Sequence, residues 1–181
     1  MPVNRSSHPD FEALAIAHLD CAYNLARWLV RDPALADDVV QDAMLRALKY
    51  FPGFRGENAR AWVLQIVRNV ALTRLKGGAL ARAAAAPESA AELDSDALAG
   101  IPTTSPEPEA TLMREDDERL VQRLLAAVPV ELRECLILRE IEELSYKEIA
   151  RIVDVPVGTV MSRLWRGRKL LADAAAGMEP S

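Results

Sequence analysis

Helical periodicity fails once along this chain, and the place where it fails sets the architecture. Up to Gly78, and again from about Glu109, apolar residues recur every three to four positions. Between Ala79 and residue 110 they do not: Ala, Pro, Ser, Thr and Glu dominate, with prolines at Pro87, Pro102, Pro106 and Pro108. An aperiodic stretch of that length between two periodic halves reads as a spacer rather than a loop inside one compact unit. The expected organisation is all-α: two small helical domains, over residues 10–78 and 111–176, joined by a flexible acidic linker over 79–110. Composition agrees, because 50% of residues are hydrophobic but only 5% aromatic. That apolar content is mostly Ala, Leu and Val, which favours helix over sheet.

The first domain reads as three helices. Phe11, Leu14, Leu19, Leu25 and Leu29 fall at helical spacing in the first. Asp32-Pro33 starts the second, an N-cap acid followed by a proline at the first helical position. It carries Leu35, Val39, Val40, Met44 and Leu48 and stops near Pro52-Gly53. After the loop GFRGEN a third helix starts near Asn58 and presents Trp62, Val63, Ile66, Val67 and Val70. The paired Gly77-Gly78 is expected to end it. The second domain reads as four helices: about 109–127, one opened by Pro129, one opened by Ser145, and a last one to about Ala175.

Net charge is -5, but its partition is more informative. Residues 10–42 hold seven acids and two bases, residues 55–82 six bases and one acid. Residues 87–118 hold ten acids and one base, and residues 145–171 six bases and two acids. Two basic blocks that coincide with helices point to a polyanionic partner more than to solvated faces. Cys21 and Cys135 fit neither a disulfide framework nor a zinc site. The first residues lack the apolar core of a signal peptide, and no run approaches the roughly 18 apolar residues of a membrane span. No phosphate loop, metal-ligand cluster or nucleophile constellation is present, so the chain reads as a cytoplasmic non-enzyme without a cofactor.

The most specific local signal is Ser145 to Lys169. Ser145-Tyr146-Lys147-Glu148 is an S-x-x-E capping box. The helix it starts is broken by Asp154-Val155-Pro156, and a second helix follows at once, as in a helix-turn-helix. In that motif the N-terminal half of the second helix enters the DNA major groove. Gly158 and Thr159 lie at its start, where backbone can approach a phosphate. Ser162 and Arg166 share a face, and Arg163 is turned about 100° away, toward a flanking phosphate. Arg166, Arg168 and Lys169 are placed to reach base edges or phosphates. The competing reading, a basic amphipathic terminal helix, does not account for cap, break and basic face together.

These residues resemble the promoter-reading helix-turn-helix of bacterial RNA polymerase sigma factors of the sigma-70 family, in the extracytoplasmic-function (ECF) group, and VGTVMSRLWRGRK is characteristic. The first half agrees independently. Ala36 to Ala43, ADDVVQDA, is similar to the helix that docks on the polymerase clamp, and Ala61 to Asn69, AWVLQIVRN, to the promoter-melting helix. The resemblance covers about four-fifths of the chain. It implies a factor that binds core RNA polymerase and promoter DNA, is held by an anti-sigma protein, and inserts in no membrane.

Residue by residue, it places Asp37, Asp38, Val40, Gln41, Asp42 and Leu45 at the core-polymerase interface. It gives promoter melting to Phe54, Arg55, Asn58, Arg60, Trp62, Arg68, Asn69, Arg74 and Lys76, with the loop from Phe54 to Asn58 capturing an extruded base. Trp62 reads as a core residue ahead of a stacking platform for a base. Upstream recognition falls to Ser145, Lys147, Pro156, Val157, Gly158, Thr159, Ser162, Arg163, Trp165, Arg166 and Lys169. Two positions depart from the pattern: Thr73 stands where the family often has an acid, and Met161 where some members have Arg. The rival classes are a stand-alone helix-turn-helix regulator and a polymerase adaptor without sequence readout.

Overall fold

The computed structural model describes residues 8–56, 58–85 and 108–177, and all regular structure among them is helical. An N-terminal three-helix region comprises α1 (His8–Val30), α2 (Pro33–Tyr50) and α3 (Ala59–Ala85). A C-terminal region holds α4 (Pro108–Ala126), α5 (Val130–Leu136), α6 (Tyr146–Val153) and α7 (Val157–Ala176). A π turn, Ile137–Ile141, prolongs α5.

Local chemistry sets most boundaries. Arg31 ends α1 in the left-handed region at φ 62°. The Asp32 carboxylate caps α2 by accepting the Leu35 N–H at 3.1 Å, and Pro33 spends no donor there. At α6 the capping box forms in full: Ser145 Oγ accepts the Glu148 N–H at 3.3 Å, and Glu148 accepts the Ser145 N–H at 2.9 Å. Asp154 stops α6 in the left-handed conformation, φ 56°, and Pro156 opens α7. The expected end of the third helix is corrected, because α3 runs through Gly77-Gly78 to Ala85. Each glycine costs about 1 kcal/mol in a helix, but Ala79, Leu80, Ala81 and Ala83–Ala85 are strong helix formers beyond them. Residues 79–85, counted with the linker, are therefore helical. The centre of the expected linker, 86–107, and Glu57 of the GFRGEN loop lie outside the described residues.

Ala22, Leu25, Ala26 and Leu29 of α1 meet Val39 and Ala43 of α2 and Val63, Leu64, Val67 and Val70 of α3. The same apolar cluster continues through Val128, Cys135, Leu136 and Leu138 to Ile149, Ile152, Val160 and Leu164. The two regions thus share one core, with α3 lying on α6 and α1 against α5 and its π turn. Gly167 lets α7 approach α5 closely: a Cβ there would stand 2.9 Å from Leu136 Cδ1.

Candidate nucleic-acid and polymerase interfaces

The helix-turn-helix is made by α6 and α7. Ile149, Ile152, Val153, Val160 and Leu164 are buried between them and α5, so one side of α7 is fixed inward and the other faces out. Gly158, Ser162, Trp165, Arg166 and Lys169 are exposed on that outward side, with the N-cap Ser145 and Lys147 exposed at the start of α6. Ser162 Oγ donates to Thr159 O at 3.0 Å, and Arg166 Nε turns back to Ser162 O at 3.4 Å. The Lys169 ammonium lies 5.8 Å from the Trp165 ring centroid.

Arg163 is placed differently from a flanking phosphate contact. It points toward α5, where Nη1 meets Glu134 Oε1 at 3.1 Å. Arg68 of α3 grips the same carboxylate, Nε to Oε2 at 2.7 Å and Nη2 to Oε1 at 3.0 Å. One buried glutamate thus joins an arginine of each basic block.

Other ties between the halves follow the same pattern. Arg60 Nη2 meets Glu142 Oε2 at 2.5 Å. Burial alone would lower the Arg60 pKa, but the Glu142 bond raises it on balance. Asn58 Nδ2 donates to Glu148 Oε1 at 2.9 Å while its Oδ1 caps α3 by accepting the Ala61 N–H at 3.0 Å. The bond from the Ser145 backbone N–H, then the Ser145 side chain and then Asn58, hold the Glu148 pKa below its usual value. Gln65 Nε2 reaches Arg151 O at 3.4 Å, and Arg27 pairs with Glu118. Arg133, buried on α5, donates to Leu29 O at the end of α1 and to Val128 O, both at 3.0 Å. Burial, then the neighbouring Arg31 charge, pushes its pKa down to about 10, so it stays charged at neutral pH.

The structure brings Asn58, Arg60 and Arg68 together along the seam between the regions, and leaves Arg55, Asn69, Arg74 and Lys76 exposed. The loop before α3 turns at Gly56, φ 80°, with Asn58 also left-handed at φ 44°. Phe54 stacks on Trp62 with centroids 4.7 Å apart. Trp62 is half-buried against the core, so it has a structural role whatever else it contacts. On α2, Asp37, Asp38, Gln41 and Leu45 are exposed. Val40 is not: it is buried in the three-helix core, because it falls on the inward stripe with Ala36, Val39, Ala43 and Ala47. Asp42 is held by Arg46, with two contacts of 3.2 Å, and lies 3.6 Å from Arg74.

Sequence reasoning missed Glu134, Glu142 and Arg133, the residues that join the halves. A signal was present: Arg133-Glu134 interrupts an otherwise apolar run, Leu132 to Leu138, and a charged pair in such a run needs buried partners. Among the described residues no group of His, Cys, Asp and Glu could hold a metal ion, and no helix is long and apolar enough to cross a membrane.

Comparison with known proteins gives this geometry its family. Residues 14–79 match "Sigma-70 region 2" and residues 118–171 match "Sigma-70, region 4". The RNA polymerase sigma-H factor of Pseudomonas aeruginosa is 33% identical over 180 residues, covering 95% of this chain and 89% of that protein. The ECF RNA polymerase sigma-E factor of Escherichia coli is 36% identical over 138 residues, covering 74% of this chain and 70% of that one. Among solved structures, the sigma factor RpoE in complex with the anti-sigma factor NepR from Bartonella quintana aligns with TM-score 0.67 at 23% identity, covering 94% of this chain and 99% of that one. CnrH in complex with the cytosolic domain of CnrY aligns with TM-score 0.66 at 20% identity, covering 93% and 89%. At those identities the two structures speak for the fold alone. The relatives and the two matched regions establish that the chain belongs to the sigma-70 family and is an ECF sigma factor, directing promoter recognition by RNA polymerase.

Proposed function

We propose a division of labour within this sigma factor: the three-helix region binds core polymerase and melts the promoter, and the α6–α7 unit reads an upstream duplex element. Asp37, Asp38, Gln41 and Leu45 form the exposed polymerase-binding face of α2, with Val40 supporting it from beneath. Arg55, Asn58, Asn69, Arg74 and Lys76, with Arg60 and Arg68, form the melting surface. The observation that carries this reading is the chemistry of the seam. Asn58, Arg60 and Arg68 already hold carboxylates, those of Glu148, Glu142 and Glu134. Arg68 binds Glu134 through paired N–H donors, Arg60 and Asn58 bind theirs through one each, and donors that hold a carboxylate can hold a phosphate oxygen in the same way. In this arrangement the glutamates of the second region stand in for nucleic acid, and engaging a promoter exchanges them for it. The chain works in the cytoplasm, and an anti-sigma protein that favours the closed arrangement is its regulator, in keeping with the complexes formed by RpoE and CnrH.

The test is open-complex formation by core polymerase with the full chain. Asn58→Ala is expected to slow melting of a duplex promoter while initial binding is retained. A pre-melted promoter should restore most of the loss, because the unstacking cost has been met. Equal melting by wild type and variant on duplex DNA refutes the assignment of Asn58.

A further inference from the structure

The outward side of α7 carries an apolar stripe bordered by cations. Val157, Met161 and Trp165 follow at i, i+4 and i+8, so they stand in a row along the helix. They are 37%, 54% and 65% exposed. A tryptophan two-thirds exposed beside an exposed methionine marks a contact surface rather than a core residue out of place. Lys147 and Arg151 on α6 and Arg166 and Lys169 on α7 flank the row, all exposed. A shallow open hollow between Lys147, Arg151, Asp154 and Val157 continues it at the start of α7.

Two of the three arginines of α7 are engaged with carboxylates. Arg163 is bound to Glu134, and Arg168 binds Glu140 through Nε at 3.0 Å and Nη2 at 2.7 Å. Arg166, exposed and with one long bond of 3.4 Å from its Nε to its own helix, belongs to the cationic border. What α7 presents at its N-terminal half is thioether and indole beside the Ser162 hydroxyl, with cations at the edges. That pattern complements one surface in particular. Phosphates border the DNA major groove, and the only apolar group on its floor is the C5 methyl of thymine.

We propose that Met161 and Trp165, backed by Val157, are specificity-determining residues of promoter readout, and that they select thymine-bearing base pairs by burying the thymine methyl. The inference rests on α7 being the reader of the upstream element. Lys169, over the Trp165 ring, holds the indole at the groove while its charge meets a phosphate. The cationic border favours a duplex over an apolar protein helix as the occupant.

The experiment uses holoenzyme assembled from the full chain and core polymerase. Preferred sites are selected from duplexes randomised across the upstream element, and each enriched thymine is then replaced by deoxyuridine, which removes only the methyl. At one or more positions affinity should fall about fourfold, the worth of one buried methyl. Met161→Ala and Trp165→Ala should bring the thymine-to-deoxyuridine ratio close to one, and Trp165→Phe should restore part of it. Both side chains are exposed, so unchanged affinity for core polymerase serves as the control for folding. If an element is enriched but deoxyuridine binds as well as thymine, or the alanine variants keep the ratio, the stripe is not the reader, although α7 remains one. If no upstream sequence is enriched, the reading of α7 fails and the proposal with it.

Discussion

Replacing Glu134 by glutamine tests the seam between the two regions. The Glu134 side chain is 1% exposed, and its partners Arg68 and Arg163 are 17% and 18% exposed. Its two oxygens accept three hydrogen bonds from two guanidinium groups. Glutamine keeps the shape but carries one acceptor oxygen, and its NH2 must face an arginine N–H. Both guanidinium charges then lose their counter-charge in a site with little water. Removing one partner of a buried pair costs about 3–5 kcal/mol, and the solvent left around each arginine lowers the expected figure to about 2–3 kcal/mol. Urea denaturation of wild type, Glu134→Gln, Arg68→Met and the double variant measures the pair directly. The coupling should exceed about 1 kcal/mol, whereas independent sites add to within about 0.5 kcal/mol. A triple variant, Glu134→Leu with Arg68→Met and Arg163→Met, buries no charge there and should be more stable than Glu134→Gln alone. Additivity in the cycle, or a Glu134→Gln cost below about 0.5 kcal/mol, would refute the claim that this carboxylate joins the halves.

Three further outcomes are expected. Arg133→Met removes the donors from Leu29 O and Val128 O and should cost about 1–3 kcal/mol, with faster amide exchange at the end of α1; unchanged exchange there would count against the tie. Because the folded pKa of Glu148 lies below its unfolded value of 4.5, its stabilisation is complete above that pH and is lost as pH falls through the folded value. Acid unfolding of Glu148→Gln should therefore depend less on pH than that of wild type, and equal dependence refutes the role. Leu45, 68% exposed on α2, has no core partner to lose, so Leu45→Ala should leave thermal stability within about 0.5 kcal/mol yet weaken core-polymerase binding about tenfold or more. Unaltered affinity in a pull-down would remove Leu45 from that interface.

The sequence by itself determined the features whose causes are local. The capping box at Ser145 and Glu148, the break at Asp154 to Pro156 and the Asp32-Pro33 start of α2 each depend on residues within one helical turn, and all three are present. The helical composition and the two basic blocks were legible for the same reason. Nearest-neighbour signals mislead where they must be weighed against distant residues. Gly77-Gly78 reads as a stop, but the alanines beyond it outweigh two glycines. Val40 lies in a motif that the resemblance assigns to polymerase binding, yet the period of α2 turns it inward. The orientation of the charged side chains was decided only by tertiary structure. Arg163 looks outward on a helical projection, but α5 supplies Glu134, 29 positions earlier, and Arg68 arrives at the same carboxylate from 66 positions before that. The cause is the cost of burying charge: a carboxylate inside a core must find cations, and only the packing of α3 and α7 around α5 settles which arginines it takes. With Arg163 taken inward, the exposed side of α7 is left with Met161, Ser162, Trp165, Arg166 and Lys169, a property of the assembled helices that no single segment carries.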